Sequence, residues 1–493
     1  MNRALRRISI AVLVMFVLLL INVNYLQGFA PASLATKPNN ARAFEAQFAY
    51  QRGNIVTVDG VTIAESTPSH DIYKYQRSYP HGPVYAPVTG YDTLYSQTGI
   101  EAAKNSLLSG NDSSLTVRNV VDLLTGKKRK GANVTVTINS AAQTAAYDAL
   151  AALGKPGGLV ALNPKTGAIL ALASYPSYDP NLLAGHDGTK LIASDKALLS
   201  DPANPLLNRA IQATFPPGST FKVVTSSAQF TQHPGTTVNT SFASPTQLTL
   251  PQTSHVLTND QGEACGNGSG QAPLITAFAQ SCDTTFAKIG MDLGAPALNA
   301  MAGKFGMNAA DLTIPLPVAK SNYTIPASLA LTAYSAIGQF DDTVTPLQEA
   351  MFAAAIANGG TLEKPYLVQN VTASDLSTVQ NTSPSTLSQP VSSSVAAQVG
   401  QMMRAVVQDP NGTAFAFNAQ NEGGLVIAGK TGTAQNGVHN TGLNDAAFTS
   451  FAPYANPEIA VGVIIQGGGY GATAAAPIAV QVIKAYLASL GQH

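Results

Sequence analysis

The chain runs to 493 residues, enough for two or three domains with at least one sizeable core. Lysine plus arginine and aspartate plus glutamate both number 27, so it lacks the basic field that nucleic-acid binding needs. Charged residues make up 11%, against roughly 25% in ordinary soluble proteins, and Ser, Thr, Asn, Gln and Gly supply the remaining polarity, a bias that suits an exported protein.

In chain order, Arg3, Arg6 and Arg7 precede "ISIAVLVMFVLLLI", and Asn22-Val23-Asn24 follow it. Positive charge before an apolar run, with none just after, orients such a segment with its N-terminus in the cytoplasm. The run from Ile8 to Ile21 is short against the ~20 residues that span a bilayer. Extended to Ala4 and Val23 it reaches that length, with the arginines snorkelling, and an uncleaved single-pass anchor in the plasma membrane is expected. The rival is a signal peptide cut near Ala30-Pro31-Ala32 or Leu34-Ala35. Either way residues 25–493 lie outside the cytoplasm. There Cys265 and Cys282, the two cysteines of the chain, can form a disulfide or stay as thiols, and spacing alone does not choose.

Residues 25 to about 135 mix short strand-like runs with turns, and "GKKRKG" (Lys127, Lys128, Arg129, Lys130) reads as a solvated turn. "ANVTVTINSAAQTAAYDALAAL" reads as a strand running into a helix, with Asn139 or Ser140 as N-cap. "GGLVALNPKTGAILALAS" is a hairpin, two apolar strands about a Pro/Gly turn. Helical patterns dominate 205–360, and the Ser/Thr/Pro-rich span 375–394 reads as a surface loop. Short strands then alternate up to a closing helix over about 475–490. The expected class is α+β: an antiparallel sheet carrying N- and C-terminal helices, beside a helical lobe.

Two stretches carry the chemistry. "GLVIAGKT" (424–431) matches the phosphate-cradling G-x-x-x-x-G-K-[ST] pattern, but a P-loop needs a loop between its glycines and a helix after them. Here Leu425 to Ala428 read as a buried strand and "GTAQNGVHNTGLND" has no helical period, so no nucleotide is expected. "PPGSTFK" (216–222) instead places Ser219 and Lys222 one turn apart on a helix face. A serine hydroxyl is a poor nucleophile until a neighbouring base takes its proton, and a lysine of depressed pKa can do so. Pro216, Pro217 and Gly218 put Ser219 at a helix start, where its N–H is free to hold a developing oxyanion. Lys-Thr-Gly occurs twice. Lys165-Thr166-Gly167 sits in the hairpin turn ahead of Ser219, whereas Lys430-Thr431-Gly432 follows it and continues a strand.

These motifs, with "RGNIVTVDG", "YPHG", "TGIE", "GGLVALNPKTGAILALASYPSYDPN", "SAIGQFDDTVTPLQEA", "ANGGTLEKPYLV", "NGTA" and "AGKTGTAQ" in that order, resemble the class B penicillin-binding proteins over nearly everything past the anchor. The resemblance implies a penicillin-binding transpeptidase fold related to serine β-lactamases and a D,D-transpeptidase that cross-links peptidoglycan stem peptides and is acylated by β-lactams. It also implies a cytoplasmic tip and anchor at 1–24, a non-catalytic dimerisation-like α/β module at 25–135 and a transpeptidase domain at 136–493. Partners would be membrane proteins of the division or elongation machinery. Neither a cofactor nor a metal is expected, since the seven histidines show no paired ligand spacing. Carried over, Ser219 is the acylated nucleophile, Lys222 its proton acceptor and Ser281 the relay to the leaving D-alanine. Lys430 sustains the positive field. Thr431, Gly432 and Thr433 meet the substrate, with the Thr433 N–H completing the oxyanion hole.

One position departs from the pattern. The middle motif is Ser281-Cys282-Asp283, where the family usually has Asn third. An ionised Asp accepts only, and it favours a protonated Lys222. Asp283 leaves a weakly active or inactive penicillin-binding scaffold of the division or elongation machinery as one alternative, and the shared acyl-enzyme scheme leaves a D,D-carboxypeptidase or β-lactamase as another.

Overall fold

The structure is a computed structural model that describes residues 3–28, 48–116, 118, 124–126, 128–310, 312–417, 424–435 and 443–491. Lys127 and the two candidate cleavage sites lie outside the described residues. Helix α1 (Arg3–Gly28) is apolar, exposed along its length and long enough to cross a membrane, with Leu5–Leu26 as the candidate span.

Strands β1 (Ile55–Val56), β2 (Thr62–Pro68), β3 (Tyr75–Ser78) and β4 (Asn133–Val136) open the folded part. Next come α2 (Ser140–Leu153), β5 (Gly157–Leu162) and β6 (Ile169–Tyr175). Asn139 caps α2, its side chain accepting from Ala142 N at 3.0 Å. The β5–β6 pair is the antiparallel hairpin read from the sequence, and Lys165-Thr166-Gly167 lies in its turn. The predominantly helical region contains α3 (Lys222–Gln232), α4 (Leu274–Ala279), α5 (Asp283–Leu293) and α6 (Pro346–Ala357), interrupted by small two-stranded sheets within 241–273. The span expected as a surface loop holds strand β8 (Thr378–Asn381), which pairs with β7 (Val368–Thr372). Helix α7 (Ser393–Gln408), strands β9 (Ala428–Ala434), β10 (Asp445–Ala452) and β11 (Ile459–Ile465) and helix α8 (Gly471–Ser489) complete the chain.

Two sheets organise these elements. One is five-stranded and wholly antiparallel, in the order β9-β10-β11-β5-β6. The other is six-stranded, ordered β8-β7-β4-β1-β2-β3, with β1 and β4 parallel, so it joins strands 55–136 to strands 368–381. Helices α2 and α8 pack together on one face of the five-stranded sheet, and α6 covers the other. Both faces are therefore dry, which is why β5, β6 and β11 read as unbroken apolar runs rather than alternating ones. Gly462 in β11 marks a close approach, since a Cβ there would enter the backbone of Ala350 and Pro346 in α6.

The layering fixes the position of β9. It is the edge strand, hydrogen-bonded to β10 on one side only, from Ala428 opposite Phe451 to Ala434 opposite Asp445. Leu425 to Ile427, expected as part of this strand, precede the ladder. Ala452-Pro453 closes the partner strand, and proline has no N–H to continue it.

Candidate active site

Ser219 lies in a 3₁₀ turn, Gly218–Phe221, that leads directly into α3. Side chains three apart eclipse in such a turn, which brings Ser219 and Lys222 to one side. The turn abuts the edge strand. Gly218 has φ +55, and a Cβ on it would stand 2.9 Å from the Thr433 carbonyl oxygen, so glycine is required twice over. Its N–H is held by the Gly338 carbonyl at 2.9 Å. Ser219 itself is half-buried, and among the described residues its hydroxyl makes no hydrogen bond.

Lys222 is wholly buried. Its ammonium donates to Asp283 Oδ1 at 2.6 Å, to the Ser281 carbonyl at 2.8 Å and to Ser281 Oγ at 3.1 Å, and it lies 5.4 Å from the centre of the Phe286 ring. Lys430 is equally buried and donates to Ser281 Oγ at 2.8 Å and to the Thr431 carbonyl at 3.1 Å, above the Phe278 ring. One serine hydroxyl thus accepts from two lysines. Both of its lone pairs are used and its own proton is left to donate elsewhere. Ser281 reaches this place from a left-handed conformation, φ +59, between α4 and α5, a costly backbone state for a residue other than glycine.

Two opposing causes act on Lys222. Burial, the larger, lowers its pKa, while the Asp283 carboxylate raises it, and the net direction is down. Asp283 therefore tempers the depression expected of a base without reversing it. Lys430 is pushed well below its ordinary value by burial first and by the like charge of Lys222 second, against Asp283. Asp260 also acts on Lys222, and its own pKa is raised by burial and then by Asp283.

The disulfide left open by the sequence is present. Cys265 and Cys282 are bonded with their Cα atoms 5.9 Å apart, which ties the 260–268 loop to the segment between Ser281 and Asp283. Thr431 is buried, and its hydroxyl lies 2.7 Å from that of Thr413. Thr413 N also donates to the Ala279 carbonyl at 3.1 Å, clamping β9 to the end of α4. Thr433 is half-buried beside the Ser219 turn, and Gly432 packs against Pro217 and Thr220. The structure therefore brings Ser219, Lys222, Ser281, Asp283, Lys430, Thr431, Gly432 and Thr433 to one place, with 59 positions separating Lys222 from Ser281 and 149 separating Ser281 from Lys430. Among the described residues no cluster of three or more His, Cys, Asp or Glu side chains is arranged to hold a metal.

A family model described as the penicillin binding protein transpeptidase domain matches residues 157–484. The chain belongs to the penicillin-binding proteins. A second family model, the penicillin binding protein A dimerisation domain, matches residues 52–134. This penicillin-binding protein is 41% identical to the peptidoglycan D,D-transpeptidase PbpA of Mycolicibacterium smegmatis over 99% of both chains. It is 39% identical to the PbpA of Mycobacterium tuberculosis, again over 99% of each. Among solved structures, the ceftriaxone acyl-enzyme complex of penicillin-binding protein A from M. tuberculosis superposes with a TM-score of 0.86 at 38% identity, covering 90% of this chain and 100% of that one.

Several residues at the penicillin-binding protein's site carry no local signal in the sequence. Thr413 lies within the "NGTA" string, but a threonine 18 positions before Thr431 says nothing of a bond between them. Asp260, Phe278 and Phe286 enter only through the packing of the helical lobe around the two lysines. Glu349 reaches the nucleophile's neighbour, Thr220, across 129 positions.

Proposed function

We propose that this protein is a peptidoglycan D,D-transpeptidase that forms peptide cross-links through a seryl acyl-enzyme and is trapped by β-lactams at the same step. The observation that carries the reading is the convergence of Lys222 and Lys430 on the Ser281 hydroxyl, beside the Ser219 turn and against an open sheet edge. The donor stem peptide adds as a strand along β9, opposite its pairing with β10. Ser219 Oγ attacks the carbonyl of the penultimate D-alanine while neutral Lys222 takes its proton. The N–H groups of Ser219 and Thr433 receive the oxyanion. As the C–N bond breaks, Ser281 gives its proton to the departing D-alanine and is resupplied by the lysines that donate to it. An acceptor amine then attacks the ester and releases Ser219. Thr431, Gly432 and Thr433 hold the substrate end, and Lys430 keeps the positive field. A β-lactam follows the first half of this course by ring opening, and it leaves no departing group to make way for the acceptor.

The organisation follows the same reading: a cytoplasmic tip and anchor at 1–24, a dimerisation-like module at 25–135 and the transpeptidase domain at 136–493. Arg3, Arg6 and Arg7 at the N-terminal end of the apolar helix α1 support an N-terminus in the cytoplasm and a catalytic part outside the plasma membrane. Membrane proteins of the division or elongation machinery are the partners expected for such a topology.

Intact-mass spectrometry of the full-length protein in detergent after penicillin treatment tests this directly. One adduct is expected, on the peptide containing Ser219, and none on a Ser219→Ala variant. A chromogenic cephalosporin should be consumed once per molecule and then no further. An adduct elsewhere, or sustained turnover, would overturn the reading.

A further inference from the structure

Thr220, the residue after Ser219, is wholly buried, and its hydroxyl stands 2.7 Å from Glu349 Oε1 and 2.8 Å from the Pro217 carbonyl oxygen. Glu349 projects from the first turn of α6 and is wholly buried too, and among the described residues its second oxygen, Oε2, has no hydrogen-bond partner. The helix is pinned at this residue, because the Glu349 carbonyl accepts from Thr449 Oγ1 of β10 at 2.6 Å.

The number of protons decides what these contacts are. A hydroxyl carries one, and Thr220 has two acceptor oxygens within reach. If its proton goes to Pro217, the contact with Glu349 requires a proton from the carboxyl. A neutral Glu349 gives each proton of the chain an acceptor and leaves only an uncharged carbonyl oxygen, Oε2, without a partner: Oε1–H donates to Thr220 Oγ1, and Thr220 O–H donates to Pro217. An ionised Glu349 would take the Thr220 proton, remove that donor from Pro217 and leave a buried anion with one oxygen unpartnered.

Among the described residues no cationic side chain compensates such an anion, and only the partial positive charge at the N-terminal end of α6 favours it. Strands β5 and β11, against which α6 packs, carry no charged side chain. Asp445, at the start of β10, accepts from Gly467 N, and Glu363, on the short strand beside α6, accepts from Thr386. Arg404 of α7 is occupied by Gln408 and lies over Tyr454. The two buried lysines are spent on Ser281, Asp283 and the Thr431 carbonyl. Burial accordingly pushes the Glu349 carboxyl up to about 8, with the Thr220 hydroxyl opposing.

Pro217, Gly218 and Thr220 are the frame of the Ser219 turn, and Gly218 and Thr220 also touch β9. We propose that Glu349 is a positioning residue for the acylation reaction: as a neutral carboxylic acid it holds the Ser219 turn against the β9 edge through Thr220 and Pro217, and loss of its proton loosens that turn. This rests on Ser219 being the acylated residue. It makes acylation depend on the titration of a group that touches neither substrate nor lysine.

The test measures second-order acylation by a fluorescent penicillin on the full-length protein, over roughly pH 5.5 to 9.5, together with thermal unfolding. Glu349→Ala should lose about tenfold at neutral pH. Glu349→Gln, whose amide donates to Thr220 but does not ionise, should recover most of that loss, and the alkaline fall of the wild type should move upward or disappear. A Gln profile that superposes on the wild type overturns the proposal, as does a folded Ala variant that reacts at the wild-type rate. If neither Glu349 variant folds, Thr220→Val should lose about tenfold and Thr220→Ser should restore it; equal rates for Val and wild type overturn the proposal. Mapping the adduct separates the two levels: an adduct off Ser219 removes the nucleophile assignment and this inference with it, whereas an adduct on Ser219 with an unmoved profile removes only the role of Glu349.

Discussion

The Lys222 ammonium and the Asp283 carboxylate stand 2.6 Å apart, the amine wholly enclosed and the carboxylate about a quarter exposed (24%). Burial lowers the amine's pKa and this carboxylate raises it, so the pair sets how much free base the site holds. Asp283→Asn removes the charge and keeps an acceptor oxygen at the same place. Acylation by a labelled penicillin should rise, by up to about tenfold where free amine is limiting, and the acidic limb of the pH profile should move down by about one unit. A loss of rate at every pH would show that the negative charge of Asp283 serves the reaction.

Ser281 combines a strained backbone with a hydroxyl that both lysines share. Ser281→Ala and Ser281→Gly both remove the hydroxyl and should slow acylation alike, on the order of 10²-fold or more. They should differ in stability. Glycine adopts φ +59 freely, so the Gly variant should unfold about 1 kcal/mol later than the Ala variant. Equal stabilities with equal loss of rate would place the cost of the turn elsewhere.

Cys282 lies between Ser281 and Asp283, and its bond to Cys265 closes a loop with a separation of 17. Replacing both cysteines with serine should cost about 3 kcal/mol of stability on the loop-entropy estimate. It should also slow acylation at temperatures where the variant is still folded, because both flanking residues bond Lys222. Chemical reduction of the wild type should reproduce both effects. An unchanged rate in a destabilised variant would confine the disulfide to stability.

What the sequence makes legible is local or ordered. Ser219 and Lys222 are three positions apart, and the turn that holds them is announced by Pro216, Pro217 and Gly218. Order along the chain separates Lys430 from Lys165, which sits in a hairpin turn whose flanking runs are plainly strands. Bonds across the fold leave no such trace. A lone glutamate in "TPLQEAMFAAAIA" is an oddity in an apolar helix, and only the packing of α6 against the sheet shows that it meets Thr220. Thr413 meets Thr431 because α7 returns the chain to β9. The expected strand at Leu425 starts three residues late for a reason in its partner, where Pro453 ends the ladder, although Tyr454 N still reaches the Val426 carbonyl at 2.8 Å.

Asp342 offers a test of the fold by acid and base. It is fully buried, and its oxygens accept from Ser335 Oγ at 2.6 Å and Thr324 N at 3.2 Å. Burial raises its carboxyl from 3.8 to about 7, against the pull of those two donors. Between these values the folded protein keeps a proton that the unfolded chain has released. The folded state binds more protons there, so stability falls as pH rises. The contribution is complete below about 3.8, declines through the window and is gone above about 7. Its size is on the order of 4 kcal/mol at most. Asp342→Asn has no such titration, so relative to the wild type it should gain stability steadily between roughly pH 4 and 7 and no further beyond. Glu349 titrates identically in both proteins and cancels from the comparison. Unfolding midpoints of the two proteins across this range check it: a difference that does not change with pH would mean that Asp342 is ionised in the folded state throughout.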